Sequence, residues 1–155
     1  MPLFEDKFTV NTSQEEIWRF LMDVERLGRC VPGCEQVQAM DDTTFKARMK
    51  VKVGPFSTTQ NVTMVLTQLD PPNRLAAQGQ GEDSRMATKV NVKATLELSP
   101  VNNAETQIKY AINVTILGRL GMVGEPVMRA KAREMCGEFA RRLKAAIEQG
   151  GQVWH

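Results

Sequence analysis

The sequence predicts an α+β fold in which a curved antiparallel sheet packs against one long C-terminal helix. Up to Gly118, apolar side chains occupy every second position through several segments, which is the period of a half-buried strand. Beyond Gly118 the apolar period becomes 3.6 residues, the period of an amphipathic helix. The turns between the alternating segments are short and rich in Pro, Gly and Asn, and turns of this kind join antiparallel neighbours.

Length and composition indicate one globular domain. The chain has 155 residues, of which 42% are hydrophobic and 25% charged. We assign residues 1–150 to a single domain and residues 151–155 to a C-terminal tail. The net charge of +2 provides no overall field for nucleic acid. The N-terminus lacks the features of a signal peptide, and no segment reaches the ~20 apolar residues of a membrane span. We therefore expect a cytoplasmic protein.

The N-terminal region predicts one strand followed by one short helix. Residues 3–10 alternate in polarity, with Asp6 on the otherwise apolar side. Ser13 and Glu16 form a capping box, in which each side chain bonds a backbone N–H that the first helical turn leaves free. A bulky apolar stripe follows, and the helix is predicted to end near Gly28.

Two segments with glycine are candidates for a gate to the protein interior. Residues 30–34 contain Pro32 and Gly33, which disfavour a helix and favour a loop between the first helix and the sheet. Gly118 and Gly121 precede the long helix and lack the lysine and the spacing of a phosphate-binding loop. We interpret both segments as candidate gates to a cavity under the long helix.

Five further segments predict strands in hairpin succession, and the last segment predicts the long helix. The predicted strands cover residues 44–53, 56–69, 75–80, 86–98 and 108–116. The helix is predicted from Met122 to Glu148, with Pro126 in its first turn and Gly150 at its end. Such a helix is about 40 Å long at ~1.5 Å per residue, a length that strands of this size also reach. One helix can therefore cover the whole sheet.

The inward faces predicted for the sheet and the helix are rich in methionine. Methionine is unbranched and polarizable, so it can line a pocket that adapts to an irregular apolar guest. Ordinary core packing explains each residue taken singly, but the set favours a hydrophobic cavity with Tyr110 as a polar contact. The predicted lining of the cavity is Phe45, Met49, Val51, Met64, Leu66, Met86, Val90, Val92, Tyr110, Ile112, Val114, Met128, Met135 and Phe139.

Side chains suited to covalent or metal chemistry are scarce. The single histidine, His155, is at the terminus, and neither Cys30 nor Cys34 has a base nearby in sequence. The C-x3-C spacing matches no common zinc pattern, and Cys136 falls on the apolar stripe of the long helix. We place Asp6 near a strand end, wet or paired, because a buried unpaired carboxylate is costly. We expect no catalysis, no cofactor and no metal.

One strand carries a row of cations on its outer face. Lys46, Arg48, Lys50 and Lys52 alternate with the inward residues of segment 44–53. A solvated face is the common explanation of such a row. The functional alternative is docking to an acidic protein or to anionic lipid headgroups, where each nearby cation contributes ~1 kcal/mol. Nucleic acid is disfavoured because aromatic stacking residues are not interleaved with these charges.

Five short segments occur together in the order and spacing of a known family. They are Glu16-Ile17-Trp18, Val31-Pro32-Gly33-Cys34, Val51-Lys52-Val53-Gly54-Pro55-Phe56, Asp70-Pro71-Pro72 and Gly118-Arg119-Leu120-Gly121. The chain resembles the CoxG family of carbon monoxide dehydrogenase proteins, a branch of the START/Bet v 1-like (SRPBCC) superfamily, over nearly its whole length. The resemblance implies a helix-grip fold: a seven-stranded curved antiparallel sheet wrapped around a long C-terminal helix, with a hydrophobic cavity between them.

The resemblance also implies a role beside a molybdenum-containing carbon monoxide dehydrogenase or a related hydroxylase. Maturation, membrane recruitment and delivery of a lipophilic electron acceptor such as a quinone are the implied roles, and fold alone does not select among them. Our first hypothesis is a protein that binds an apolar small molecule, such as a quinone or a lipid, and exchanges it with a redox enzyme. The second is an assembly or recruitment factor that acts through protein contacts, with an incidental cavity. Because family members often carry a C-terminal extension that this chain lacks, we expect at most peripheral contact with the inner face of the membrane.

Overall fold

The fold consists of one sheet and three α-helices. The computed structural model describes residues 3–153, and it describes side chains over residues 3–148. The elements in chain order are β1 (Phe4–Val10), α1 (Gln14–Leu21), α2 (Val24–Cys30), β2 (Cys34–Ala39), β3 (Thr44–Val53), β4 (Phe56–Asp70), β5 (Arg74–Asp83), β6 (Thr88–Asn102), β7 (Glu105–Gly118), a 3-10 helix (Arg119–Val123) and α3 (Glu125–Val153).

The seven strands form one antiparallel sheet in the order β1-β7-β6-β5-β4-β3-β2. Strands β2 to β7 are joined by hairpins, as the short turns predict, and β1 pairs with the last strand. Residues paired across neighbouring strands share a face, and the pairs Phe45–Met64 and Val92–Val114 fix the apolar face. The 29 residues of α3 extend about 44 Å at ~1.5 Å per residue. The helix is therefore long enough to cross this face from end to end.

The region between β1 and β3 contains two helices and a strand where the sequence predicts one helix and a loop. Ser13 accepts from the backbone N–H of Glu16, as the capping box predicts. The Asp23 side chain accepts from the backbone N–H of Arg26 and begins a second helix, so the prediction of one helix ending near Gly28 was wrong. The edge strand β2 was missed because its residues are mostly polar and barely alternate.

Two other predicted boundaries differ in the structure. Met86 lies in the turn between β5 and β6 and not on a strand, because Asp83 accepts from the backbone N–H of Arg85 and of Met86 and holds the turn. Gly124, with φ of 87°, separates the 3-10 helix from α3. The long helix therefore begins at Glu125 and not at Met122. It also continues through Gly150 to Val153, while Trp154 and His155 lie outside the described residues.

The fully buried core lies at one end of the sheet. There α1, α2 and the C-terminal half of α3 pack against β1, β6 and β7. The cluster consists of Val10, Ile17, Phe20, Leu21, Cys30, Leu75, Leu98, Ile108 and Leu143. A hydrogen bond of 2.9 Å from the Asn11 backbone N–H to Glu148 Oε2 ties this end of α3 to the loop after β1. The rest of α3 lies beyond the core.

Candidate functional site

The apolar side chains between the sheet and the first half of α3 are only partly buried. The residues that the sequence predicts as a cavity lining all fall in this half-buried class, and none of them is among the fully buried members of the core cluster. All of them lie on strands or on α3 except Met86, which lies in the β5–β6 turn. We call the space bordered by Met49, Val51, Met64, Val92 and Met135 the groove.

The centre of the groove is shallowly filled because β5 presents small residues there. Ala77, Gly79 and Gly81 alternate along the inner face of this strand. A Cβ on Gly79 would lie 2.1 Å from the Sδ of Met64, so the methionine side chain lies flat across the glycine. A side chain at Gly79 would push Met64 outward and fill the groove. The small residues that weaken β5 in the sequence therefore keep space open.

A pocket of about 280 Å³ lies between α3 and the edge of β3 at the loop that contains Pro32 and Gly33. Gly33 has φ of 84°, and its carbonyl oxygen accepts from the Lys50 backbone N–H at 2.8 Å, which ties the loop to β3. Val51 and Met135 are its groove residues. The remaining lining residues are Lys50, Lys52, Lys131, Glu134, Glu138 and Arg142. The mouth of the groove is thus apolar inside and charged around its rim.

The second predicted gate lies at the end of β7. Gly118 has φ of 99°, and a Cβ there would come within 1.9 Å of the carbonyl oxygen of Ala87. This contact requires glycine, because the backbone of the β5–β6 turn occupies the space of a side chain. A Cβ on Gly121 would lie 3.2 Å from the carbonyl oxygen of Ile116. Close packing thus accounts for Gly118, and a gating role for either glycine stays a prediction.

A buried polar cluster, which the sequence reasoning missed, interrupts the apolar inner face. Thr58 and Gln60 extend the inner row of β4, and Asp83 ends the inner row of β5. Thr58 Oγ1 donates to Asp83 Oδ2 at 2.7 Å, and Gln60 Nε2 donates to Thr58 Oγ1 at 2.8 Å. The Thr58 hydrogen bond, followed by backbone N–H groups, lowers the pKa of Asp83. Counting backward by twos from Met64 would have placed Gln60 and Thr58 on this face.

Tyr110 lies on β7 with an aromatic neighbour on either side. Its ring centroid is 6.3 Å from that of Phe4 and 6.0 Å from that of Phe8, and Asp6 is its register partner on β1. Burial, followed by the charges of Cys136 and Asp6, raises the pKa of Tyr110 to about 12. The phenol is therefore neutral at pH 7 and can donate a hydrogen bond. Asp6 is exposed, in agreement with its expected wet position.

The three cysteines are free thiols of low reactivity. Burial raises the pKa of Cys30 and of Cys34, and burial followed by the charge of Asp6 raises the pKa of Cys136 to about 11. The thiolate, which is the nucleophile, is therefore scarce at neutral pH. Residues 3–153 contain no group of three or more potential metal-ligating side chains.

The predicted basic row lies on the outer face of β3 and is exposed along its length. Lys46, Arg48, Lys50 and Lys52 all point to the convex side, and Arg48 Nε pairs with Glu35 Oε1 at 3.3 Å. Their partners on β4 are Thr63, Asn61, Thr59 and Ser57, none of which is charged. The row therefore forms a cationic edge beside the mouth of the groove.

A curved antiparallel sheet of seven strands, one long C-terminal helix across its concave face and an apolar groove between them define a START-like helix-grip protein. Three solved structures share this fold. A conserved protein from Geobacillus kaustophilus has a TM-score of 0.85 at 21% identity over 94% of both chains. A START superfamily protein from Mycobacterium smegmatis has a TM-score of 0.77 at 14% identity over 94% of this chain and 97% of the other. The Zhui aromatase/cyclase from Streptomyces sp. R1128 has a TM-score of 0.69 at 15% identity over 94% and 93%.

The sequence places the protein within this fold. The family described as a carbon monoxide dehydrogenase subunit (CoxG) matches residues 7–148, and the chain belongs to this family. Comparison with curated proteins finds no match. The predicted family resemblance and the predicted helix-grip fold are both confirmed, whereas the identities to the solved structures are low enough that these structures establish the fold alone.

Proposed function

We propose that the protein binds a hydrophobic small molecule in the groove, as an accessory protein of a molybdenum-containing carbon monoxide dehydrogenase or a related hydroxylase. The observation that carries this proposal is that the apolar residues of the groove are half-buried. Each buried methylene contributes about 0.8 kcal/mol, so side chains kept only for stability would be buried more completely. Membership of the CoxG family supplies the enzyme context.

The guest that suits this groove is apolar with a few polar atoms, such as a quinone or a lipid. Ligand pockets usually enclose about 300–1,000 Å³, and the pocket of about 280 Å³ at the mouth accounts for one end of such a space. Met49, Met64 and Met135 can adapt to its shape. The neutral phenol of Tyr110 provides a donor for a carbonyl oxygen.

Mass spectrometry under native conditions on protein isolated gently from its host tests this proposal, together with thermal shifts on adding menaquinone or ubiquinone analogues. We expect a bound apolar mass and a rise in Tm. Val92→Trp, which fills the groove, should abolish the shift. Val101→Trp, the same change at an exposed position on the same strand, should preserve it. Ligand-free spectra together with unchanged melting would count against binding.

A second candidate function is assembly or recruitment of the enzyme through protein contacts. The exposed basic row on β3 favours it, because its strand neighbours on β4 provide no compensating charge. In this case the row contacts an acidic surface of the partner enzyme, and the groove is incidental. The same cations would also suit peripheral contact with anionic lipids at the inner face of the membrane.

Charge reversal separates the two candidates. The triple variant Lys46→Glu, Lys50→Glu and Lys52→Glu should lose co-purification with a hydroxylase partner if the row docks, while binding of a quinone analogue persists. Reversal of Lys89 and Lys93, which are exposed on β6, is the matched control. Retained co-purification in the triple variant would exclude this row as the docking surface.

Two further expectations belong with the proposal. The absence of catalysis stays a prediction, and its physical support is the scarcity of activated groups, since the cysteine pKa values are raised. A cytoplasmic location also stays a prediction. Within residues 3–153, every helix is too short or too polar to cross a membrane.

A further inference from the structure

The hydrogen atoms of the buried polar cluster have only one consistent arrangement. The ionised carboxylate of Asp83 can only accept, so the single hydroxyl hydrogen of Thr58 is committed to it at 2.7 Å. Thr58 Oγ1 must then accept from Gln60, which places Nε2 and not Oε1 of the amide at 2.8 Å. A flipped amide would set two acceptors against each other. The chain of donors therefore runs from Gln60 through Thr58 to Asp83.

This arrangement leaves the Gln60 carbonyl oxygen as an acceptor on the inner face. Gln60 is only 6% exposed, and its Oε1 has no hydrogen-bond partner within the described part of the chain. The oxygen lies over the backbone of Gly81, where a Cβ would come within 2.9 Å of it. Buried acceptors are nearly always paired, so an unpaired one in the wall of a ligand groove calls for a partner.

We propose that Gln60 Oε1 is the polar anchor of the groove and accepts a hydrogen bond from a hydroxyl group of the guest. The preferred ligand class is then an apolar molecule with an aromatic hydroxyl, such as a phenol or a hydroquinone, over an analogue with acceptors only. This inference rests on the proposed function, because it concerns the same groove. It adds the chemical class that the groove selects.

The neighbours of Gln60 make this contact feasible. Met49 is its register partner on β3, and Met64 lies four residues along β4 on the same face. Both side chains are flexible and half-buried, so a guest can displace them to reach the shielded oxygen. Donation from Gln60 through Thr58 toward the Asp83 carboxylate also polarises the amide, which strengthens its carbonyl oxygen as an acceptor.

The test compares two probes that differ only in the donor: 4-pentylphenol and its methyl ether. Equilibrium affinities are measured by ligand-observed NMR for the wild type, for Gln60→Met and for the control Met64→Leu. Gln60→Met removes the acceptor at constant length, and Met64 across Gly79 shows that a methionine fits over a glycine of β5. Met64→Leu changes the groove shape without altering its hydrogen bonding.

We expect the wild type to bind the phenol about tenfold more tightly than the ether, which is equivalent to about 1.4 kcal/mol. The ratio should fall to about one in Gln60→Met through loss of phenol affinity alone, and it should persist in Met64→Leu. Equal affinities in the wild type, or a ratio retained in Gln60→Met, would overturn the anchor while leaving apolar binding intact. Failure of both probes to bind the wild type would instead remove the proposed function as well.

A second readout needs no variant. The ¹³Cδ resonance of the Gln60 side chain in the wild type should shift on adding the phenol and stay unchanged with the ether at equal occupancy. If the two probes move this resonance alike, or not at all, the anchor is overturned even if Gln60→Met does not fold.

Discussion

Two alanine substitutions on one face of α3 measure whether the groove is packed. Leu143 is 0% exposed in the core, whereas Met135 lies two helical turns earlier and is half-buried beside the mouth. Both lie on the apolar stripe of the same helix. Alanine at either position preserves the helix, since its helix propensity is at least that of leucine or methionine.

The two substitutions should differ in cost because only one of them creates a cavity. Leu143→Ala removes fully buried atoms and leaves a hole, which costs about 2.7–5 kcal/mol in comparable cores. Met135→Ala loses only the transfer free energy of the covered part of its side chain, about 1 kcal/mol, because the space beside it is already open. The expected difference is at least about 2 kcal/mol, which corresponds to about 4–8 °C in Tm for a domain of this size.

Urea unfolding monitored by circular dichroism at constant pH provides the measurement, and the linear extrapolation gives both free energies. Met122→Ala is the baseline, because Met122 is 79% exposed and should change stability little. Equal losses for Leu143→Ala and Met135→Ala would show that the groove is packed core, and a binding site there would have no physical basis.

Three other predictions concern the ends of the groove. Asp83→Asn should cost about 1.5–3 kcal/mol near pH 7 by weakening hydrogen bonds to a charged group. Because the folded-state pKa of Asp83 is lowered, its contribution is present above the unfolded value of 3.8 and is lost as pH falls, so acid titration of unfolding should be flatter in the variant. Gly118→Ala should destabilise by at least about 1–3 kcal/mol through its positive φ and its clash with Ala87, as measured by urea unfolding. The raised pKa of Cys136 predicts stability that is lost as pH rises from 9.0 through about 11, and Cys136→Ala should remove this part of the alkaline decline.

The alternation on β3 is what made the two faces of the sheet predictable. A cation at every second position from Lys46 to Lys52 leaves no doubt about which side is wet, and the inner side follows from it. The 3.6-residue stripe of α3 identified its inward face in the same way. Period alone, however, cannot separate Leu143 from Met135. Their different burial depends on where α1 and α2 close the end of the sheet, a contact between distant parts of the chain.

Polar residues on an inner face explain what the sequence did not reveal. Thr58, Gln60 and Asp83 occupy inward positions, where the rule that inner residues are apolar assigns them outward. Their burial is compensated by mutual hydrogen bonds, and these form only once β4 and β5 are paired. Asp23 misled in another way, because an aspartate within a helical pattern looks like an exposed residue when it in fact caps a second helix.

The methionine methyl groups provide the most direct test of a guest in the groove. In protein labelled with ¹³C at these methyls, titration with a short-chain quinone should shift Met49, Met64 and Met135 and give intermolecular nuclear Overhauser effects to them. Met22 and Met40, which are exposed and outside the groove, should not respond. If the groove methyls stay unmoved at saturating quinone, or if all methionines respond alike, a specific apolar site between sheet and helix does not exist.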